Sequence, residues 1–231
     1  MDSWISGIFA HALPFVWRSP LTRRPGITLI FIPLLTIQDT MQKIILTLLF
    51  AFYLLPLFSQ ITVVNPGFED QAADATVPKG WLPCEDNTTP DILPGFWGEY
   101  GDASQGNTYV GLITRENATF ESIGQRLSKP LSKGECYRFK IDLARGAVYA
   151  GFNKAIKLRI WVAENKCEKG QLIYTSDFIQ HTDWKTYMIE FTSNKNHKYI
   201  RFEAYYKDGN FSHKGNVLLD NLSAIQMCGR A

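Results

Sequence analysis

Between residues 136 and 206 the chain alternates apolar and polar side chains with a period of two. In Cys136–Ala144 (CYRFKIDLA), Tyr137, Phe139, Ile141 and Leu143 fall on one face; Arg138, Lys140 and Asp142 fall on the other. Residues 156–162 (IKLRIWV) set Ile156, Leu158, Ile160 and Val162 against Lys157, Arg159 and Trp161. Residues 184–192 (WKTYMIEFT) group Tyr187, Ile189 and Phe191. Residues 199–206 (YIRFEAYY) place Ile200, Phe202, Ala204 and Tyr206 inward, with Tyr199, Arg201, Glu203 and Tyr205 outward. A helix cannot sort such a pattern, whereas a half-buried antiparallel strand does. Further strands are expected at 62–64, 108–114, 119–127, 171–175 and 217–225. Lys133-Gly134, Lys169-Gly170, Asp208-Gly209 and Lys214-Gly215 supply turns. About nine short strands with such turns predict an all-β antiparallel sandwich of the jelly-roll kind.

The first 60 residues read differently. Residues 44–58 (IILTLLFAFYLLPLF) are an apolar run preceded by Met41, Gln42 and Lys43 and followed by Ser59-Gln60. That is the pattern of a secretory signal peptide, and it is short for a membrane span. Residues 41–60 are therefore expected to be the signal, 1–40 an upstream extension from a wrong start, and 61–231 the domain. The alternative is a retained N-terminal anchor. The leader holds Arg18, Arg23, Arg24 and Lys43 against Asp2 and Asp39, out of 24 basic and 22 acidic residues in all. Removing it leaves a domain with no net charge and no basic run, which argues against nucleic-acid binding. The mature form is expected to have no membrane span. A secreted, periplasmic or cell-surface location follows from the signal. Cys84, Cys136, Cys167 and Cys228 have no CxxC spacing, so zinc is not expected. Two disulfides fit an exported chain, with three pairings open; buried free thiols are the alternative.

Several motifs recur in one order: NPGFED (65–70), GW (80–81), GNTYVGL (106–112), IGQRLSKPLSKGECYRFKIDLA (123–144), TDWKTYMIEFT (182–192) and GNVLLDNLSAI (215–225). Together they resemble the CenC-like carbohydrate-binding modules, a branch of the galactose-binding-domain-like jelly rolls. TPDILPGFWG (89–98) and LARGAVYAG (143–151) are similar to domains of bacterial surface proteins that can precede an OmpA-type region. No such region follows these motifs before Ala231, so wall attachment is not expected from one.

The resemblance implies glycan binding on an outward sheet face and its adjacent loops. Sugars present apolar C–H faces and in-plane hydroxyls, so a site needs flat rings beside planar polar groups. On the outward face Trp161 and Tyr205 offer rings; Arg159, Arg201, Asp142 and Glu203 offer donors and acceptors. The bland alternative is a solvated face with cross-strand ion pairs. The loop-like stretch 89–112 has five glycines and two prolines yet carries Phe96, Trp97, Tyr100 and Tyr109. Trp97, Tyr100 and Tyr149 are candidates for a groove end, Phe96 for core; Trp81 and Trp184 match family positions that read as core. The resemblance also implies structural calcium, with Glu69 and Asp220 as ligands, since hard oxygen donors suit that ion. A turn or capping role is the alternative for both.

No G-x-S-x-G elbow, H-E-x-x-H helix or Gly-rich phosphate loop is present, and His181, His197 and His213 fall in predicted loops or turns. The expectation is a non-catalytic module for polysaccharide or cell-surface glycan, with an envelope protein as a further partner. A facing carboxylate pair such as Asp142 and Glu203 would be needed for a glycosidase. The alternative function is a structural or adhesive surface domain with no sugar site.

Overall fold

The computed structural model describes residues 41–47 and 60–229. Residues 41–47 are helical and exposed. The proposed wrong start at 1–40 and most of the proposed signal lie outside the described residues. Among the described residues no helix is long and apolar enough to cross a membrane.

Residues 60–229 form an antiparallel β-sandwich of the jelly-roll type. Its strands are β1 (Leu82–Pro83), β2 (Asp91–Leu93), β3 (Tyr109–Thr114), β4 (Ser122–Arg126), β5 (Cys136–Ala144), β6 (Lys154–Ala155), β7 (Lys157–Ala163), β8 (Gln171–Thr175), β9 (Lys185–Thr192), β10 (Tyr199–Tyr205), β11 (Gly215–Asp220) and β12 (Gln226–Met227). One sheet runs β1-β4-β10-β7-β8. In the other, β5 pairs with β9 along one edge. Its second edge takes β11 and then β12, and β11 continues to β3 and β2.

The alternation fixes which side of each strand faces the partner sheet. Phe139, Ile141 and Leu143 of β5 meet Ile160 and Val162 of β7 and Ile200 and Phe202 of β10 in one core. Phe68 and Trp81 stack at 4.9 Å within it, and Trp81 reaches Phe202 at 5.7 Å. Trp81 therefore belongs to the core as expected. Two disulfides, Cys84–Cys167 and Cys136–Cys228, close loops of 83 and 92 residues, so all four cysteines are paired.

Three strand expectations differ from the structure. Residues 62–64 form no ladder, because side chains take over: Ser128 Oγ accepts from Thr62 N, and the Gln125 amide bonds both N and O of Val64. The stretch 217–225 splits into β11 and a separate bridge at Ile225, which pairs with Ile61. Inside the loop-like stretch, Asp91–Leu93 forms a short edge strand on β3. It sits between Pro90 and Pro94, which is where prolines confine a strand.

Candidate functional site

The outward face of the five-stranded sheet is covered over Arg201 and Glu203, while Arg159, Trp161 and Tyr205 stay partly exposed. Across it, Arg201 pairs in register with Trp161 and Gly124, and Glu203 with Arg159 and Ser122. Arg201 is 4% exposed and Glu203 fully buried, so neither is open to a ligand as the outward reading expects, nor solvated as its alternative has it. The cause is a strap. A Cβ at Gly124 would lie 2.8 Å from Cys84 Sγ, so the Cys84–Cys167 bridge crosses the sheet where only glycine leaves room. Arg201 donates to the Cys167 carbonyl, to Glu85 and, at 2.9 Å, to Glu203. Lys169 joins Glu203 at 2.8 Å and Glu85 at 3.3 Å. Burial works to raise the Glu85 carboxyl, but Arg201 and Lys169 outweigh it and hold it below its ordinary range. Ser122 Oγ, Arg159 Nε, Trp161 Nε1, Arg201 Nε and Glu203 Oε1 are shut away from solvent without hydrogen-bond partners, though Glu203 Oε1 lies 3.9 Å from Arg159 Nη1. Tyr205 is half-buried, with the Arg159 guanidinium 3.3 Å from its ring centroid, so that face of the ring is taken.

Asp142 does not share this face as its outward pattern suggests, because β5 lies in the opposite sheet. No facing pair with Glu203 exists. Ser104 Oγ and Thr186 Oγ1 each donate to Asp142 at 2.6 Å, and Asn221 Nδ2 at 2.9 Å. Burial opposes ionisation there, but these bonds hold its carboxyl below the ordinary value. Asp142 pairs in register with Asp220 on β11. Asp220 is fully buried and accepts from Gln105 N at 2.9 Å and Asn221 N at 2.6 Å. Burial, with a smaller push from Glu69, raises its carboxyl to about 6. Glu69 accepts from Asn107 N at 2.9 Å. The two expected metal residues thus flank one segment, 104–108. Both are carboxylates, the donor type a hard cation takes, and each already accepts backbone N–H bonds from this segment. The atoms of Cys136, Glu190 and Cys228 also cluster, but the sulfurs are bonded to each other and offer no thiolates.

The stretch 89–112 builds a third feature, on the outer face of the seven-stranded sheet. Leu93, Tyr109, Ile113, Leu218 and Tyr149 form a small second core there, with Phe96 and Trp184 packed against it. Tyr109 meets Trp184 edge-on at 5.2 Å, and Trp184 Nε1 donates to the Asp102 carbonyl. Tyr149 crosses β3 over Gly111, where a Cβ would lie 2.2 Å from the phenol oxygen. That oxygen donates to Asp91 Oδ2 at 2.7 Å. Burial, reinforced by Asp91, pushes the Tyr149 phenol well above its ordinary value.

Beside this pair is a pocket of about 210 Å³, lined by Asp91, Ile113, Arg115, Tyr149, Phe152 and Trp97, among others. Trp97 is 46% exposed. Its backbone sits at φ +57°, where a bulky residue is held only by its surroundings; Ala150 N donates to its carbonyl at 2.8 Å. Arg115 donates to Thr89 Oγ1 at 3.1 Å and pairs with the buried Glu121, whose carboxyl burial raises. Its Nη1 is shut away from solvent and has no hydrogen-bond partner. Tyr100 is 74% exposed and is not among the residues lining the pocket. Thus Trp97 and Tyr149 come together, while Tyr100, Trp161, Tyr205 and the sheet-face charges do not join them. Asp91 was visible within TPDI as a motif residue, and a role for Arg115 had no sequence signal.

No protein-family model matches the chain, and no curated protein sequence matches it. Solved structures do share the fold. A cyclase from Fischerella sp. TAU aligns with a TM-score of 0.53 at 15% identity, over 74% of this chain and 98% of its own. An arabinose-bound α-L-arabinofuranosidase, MgGH51, aligns with 0.51 at 9% identity, over 74% of this chain and 27% of its own. The CBM22-1 xylan-binding domain from Paenibacillus barcinonensis Xyn10C aligns with 0.46 at 13% identity, over 71% of this chain and 93% of its own. The expectation that the chain is non-catalytic is corrected by the cyclases: this scaffold is one on which enzymes are built, and the lack of a sequence motif does not exclude catalysis.

Proposed function

We propose that the domain binds a glycan at the Trp97 pocket, in an extracytoplasmic or cell-surface setting. One observation carries the reading: a half-exposed indole stands at a pocket that also holds a carboxylate, a guanidinium and a phenol. The ring offers an apolar platform to a sugar face, while Asp91 and Arg115 offer an acceptor and a donor to hydroxyls. The pocket lies on loops held by a rigid sandwich, where binding residues gather. Two disulfides suit an oxidising compartment. Glu69 and Asp220 would hold a calcium ion that braces the 104–108 segment, leaving the sugar contacts to the pocket.

The test is binding of the protein to immobilised xylan, cellulose, chitin, β-1,3-glucan and peptidoglycan, with Trp97→Ala beside it. Saturable binding to a glycan, weakened by at least about 10-fold in the variant, supports the reading. A well-folded protein that binds none of them moves the reading to a structural or adhesive surface domain.

A further inference from the structure

The pocket's shape says more about its ligand than its chemistry does. Its deep side is closed by Asp91, Ile113 and Tyr149, all buried, and its outer side carries Trp97, Ala150 and Arg115. The short edge strand β2 and β3 supply one wall; the segment ending at Phe152 supplies another. About 210 Å³ is below the roughly 300–1,000 Å³ of pockets that take drug-sized ligands, so the room is for about one ring. An internal unit of a polysaccharide needs an open groove with an exit at both ends. The sheet face that could have offered such a groove is crossed by the Cys84–Cys167 strap, with Glu85 and Lys169 tied down over Arg201 and Glu203.

We infer that the pocket takes the terminal ring of a neutral saccharide chain. This rests on the glycan reading above and narrows it from polysaccharide to chain end. Charge and hydrogen bonding choose the ring. Asp91 and Arg115 oppose each other in sign, and a second carboxylate, Glu121, already neutralises the guanidinium, so nothing draws an acidic sugar inward. Arg115 lines the pocket with 21% of its side chain exposed, so it offers a donor to a ring hydroxyl there. Trp97 covers the ring's apolar face, and the next unit of the chain leaves past it into solvent.

The experiment uses the full-length protein and oligomers of one to six rings, made by partial hydrolysis of xylan, cellulose, chitin and β-1,3-glucan. Calorimetry is run on each length, together with binding to the parent polymers before and after limited digestion. Chain-end recognition predicts affinity within about 3-fold from two rings to six, and capacity on polymer that rises with digestion as ends are created. Trp97→Ala and Arg115→Met each weaken binding by at least about 10-fold. Opening the reducing-end ring with borohydride distinguishes the two ends: loss of binding assigns that end, and retention assigns the other. Affinity that climbs stepwise over three to six rings, with capacity falling on digestion, overturns chain-end binding while leaving the glycan reading intact. Binding to none of the polymers or oligomers overturns both.

Discussion

The Tyr149 phenol donates to Asp91 Oδ2 at 2.7 Å, and this bond ties the 145–153 loop to the edge strand β2 beneath the pocket. Both residues are buried, so the bond has no water to replace it. Tyr149→Phe removes the donor and strands a carboxylate oxygen. The expected cost is about 1–3 kcal/mol in chemical denaturation, with weaker glycan binding as the pocket floor loosens.

The ion network under the strap depends on Arg201. Arg201→Met leaves Glu203 buried with Lys169 at 2.8 Å and Arg159 at 3.9 Å as its remaining partners. A loss of about 3 kcal/mol or more is expected on denaturation, because removing one partner of a buried pair leaves charge uncompensated. Glycan binding should survive if the protein is assayed well below its unfolding transition, since this face lies on the other sheet from the pocket.

Replacing Cys84 and Cys167 together by Ala releases a loop of 83 residues. The entropic account gives about 4.5 kcal/mol of lost stability, and the same order for the Cys136–Cys228 pair. Only the first pair covers the sheet face. Its loss should therefore raise hydrogen exchange at β10 above that seen on losing the second pair.

Asp220 predicts a pH dependence of definite sign. Its carboxyl stands at about 6 against an ordinary 3.8, so the folded state holds a proton that the unfolded chain releases. This contribution to stability is full below about pH 4 and lost as pH rises through about 6. Asp220→Asn should flatten the fall between those values. Calcium at pH 7 should raise the melting temperature of the wild type and leave that of Asp220→Asn unmoved; a chelator should reverse the gain.

The sandwich was legible because burial on one face writes a period of two into each strand. Phe139, Ile141, Phe202 and Ile160 all lie where that period puts them. What the period did not carry was the fate of the other face. Arg201 and Glu203 look like solvent-facing residues on a strand, and only the Cys84–Cys167 pairing, one of three open to sequence, puts a lid over them. Asp142 and Glu203 share an outward pattern, yet period two does not say which sheet a strand joins. The rings of residues 89–112 proved to be two populations: Tyr109 and Phe96 pack a second small core, and Trp97 and Tyr100 remain outside it. Arg115 was invisible as a site residue because its partners, Thr89 and Glu121, come from a loop and a hairpin brought together only by folding.

The most direct test sets two tryptophans against each other. Calorimetric titration of the tightest-binding glycan is compared for wild type, Trp97→Ala and Trp161→Ala. Binding at the outer-face pocket predicts that Trp97→Ala weakens affinity by at least about 10-fold, while Trp161→Ala stays within about 2-fold of wild type. The opposite pattern, with Trp161 essential and Trp97 dispensable, would place the ligand on the strapped sheet face and contradict the account.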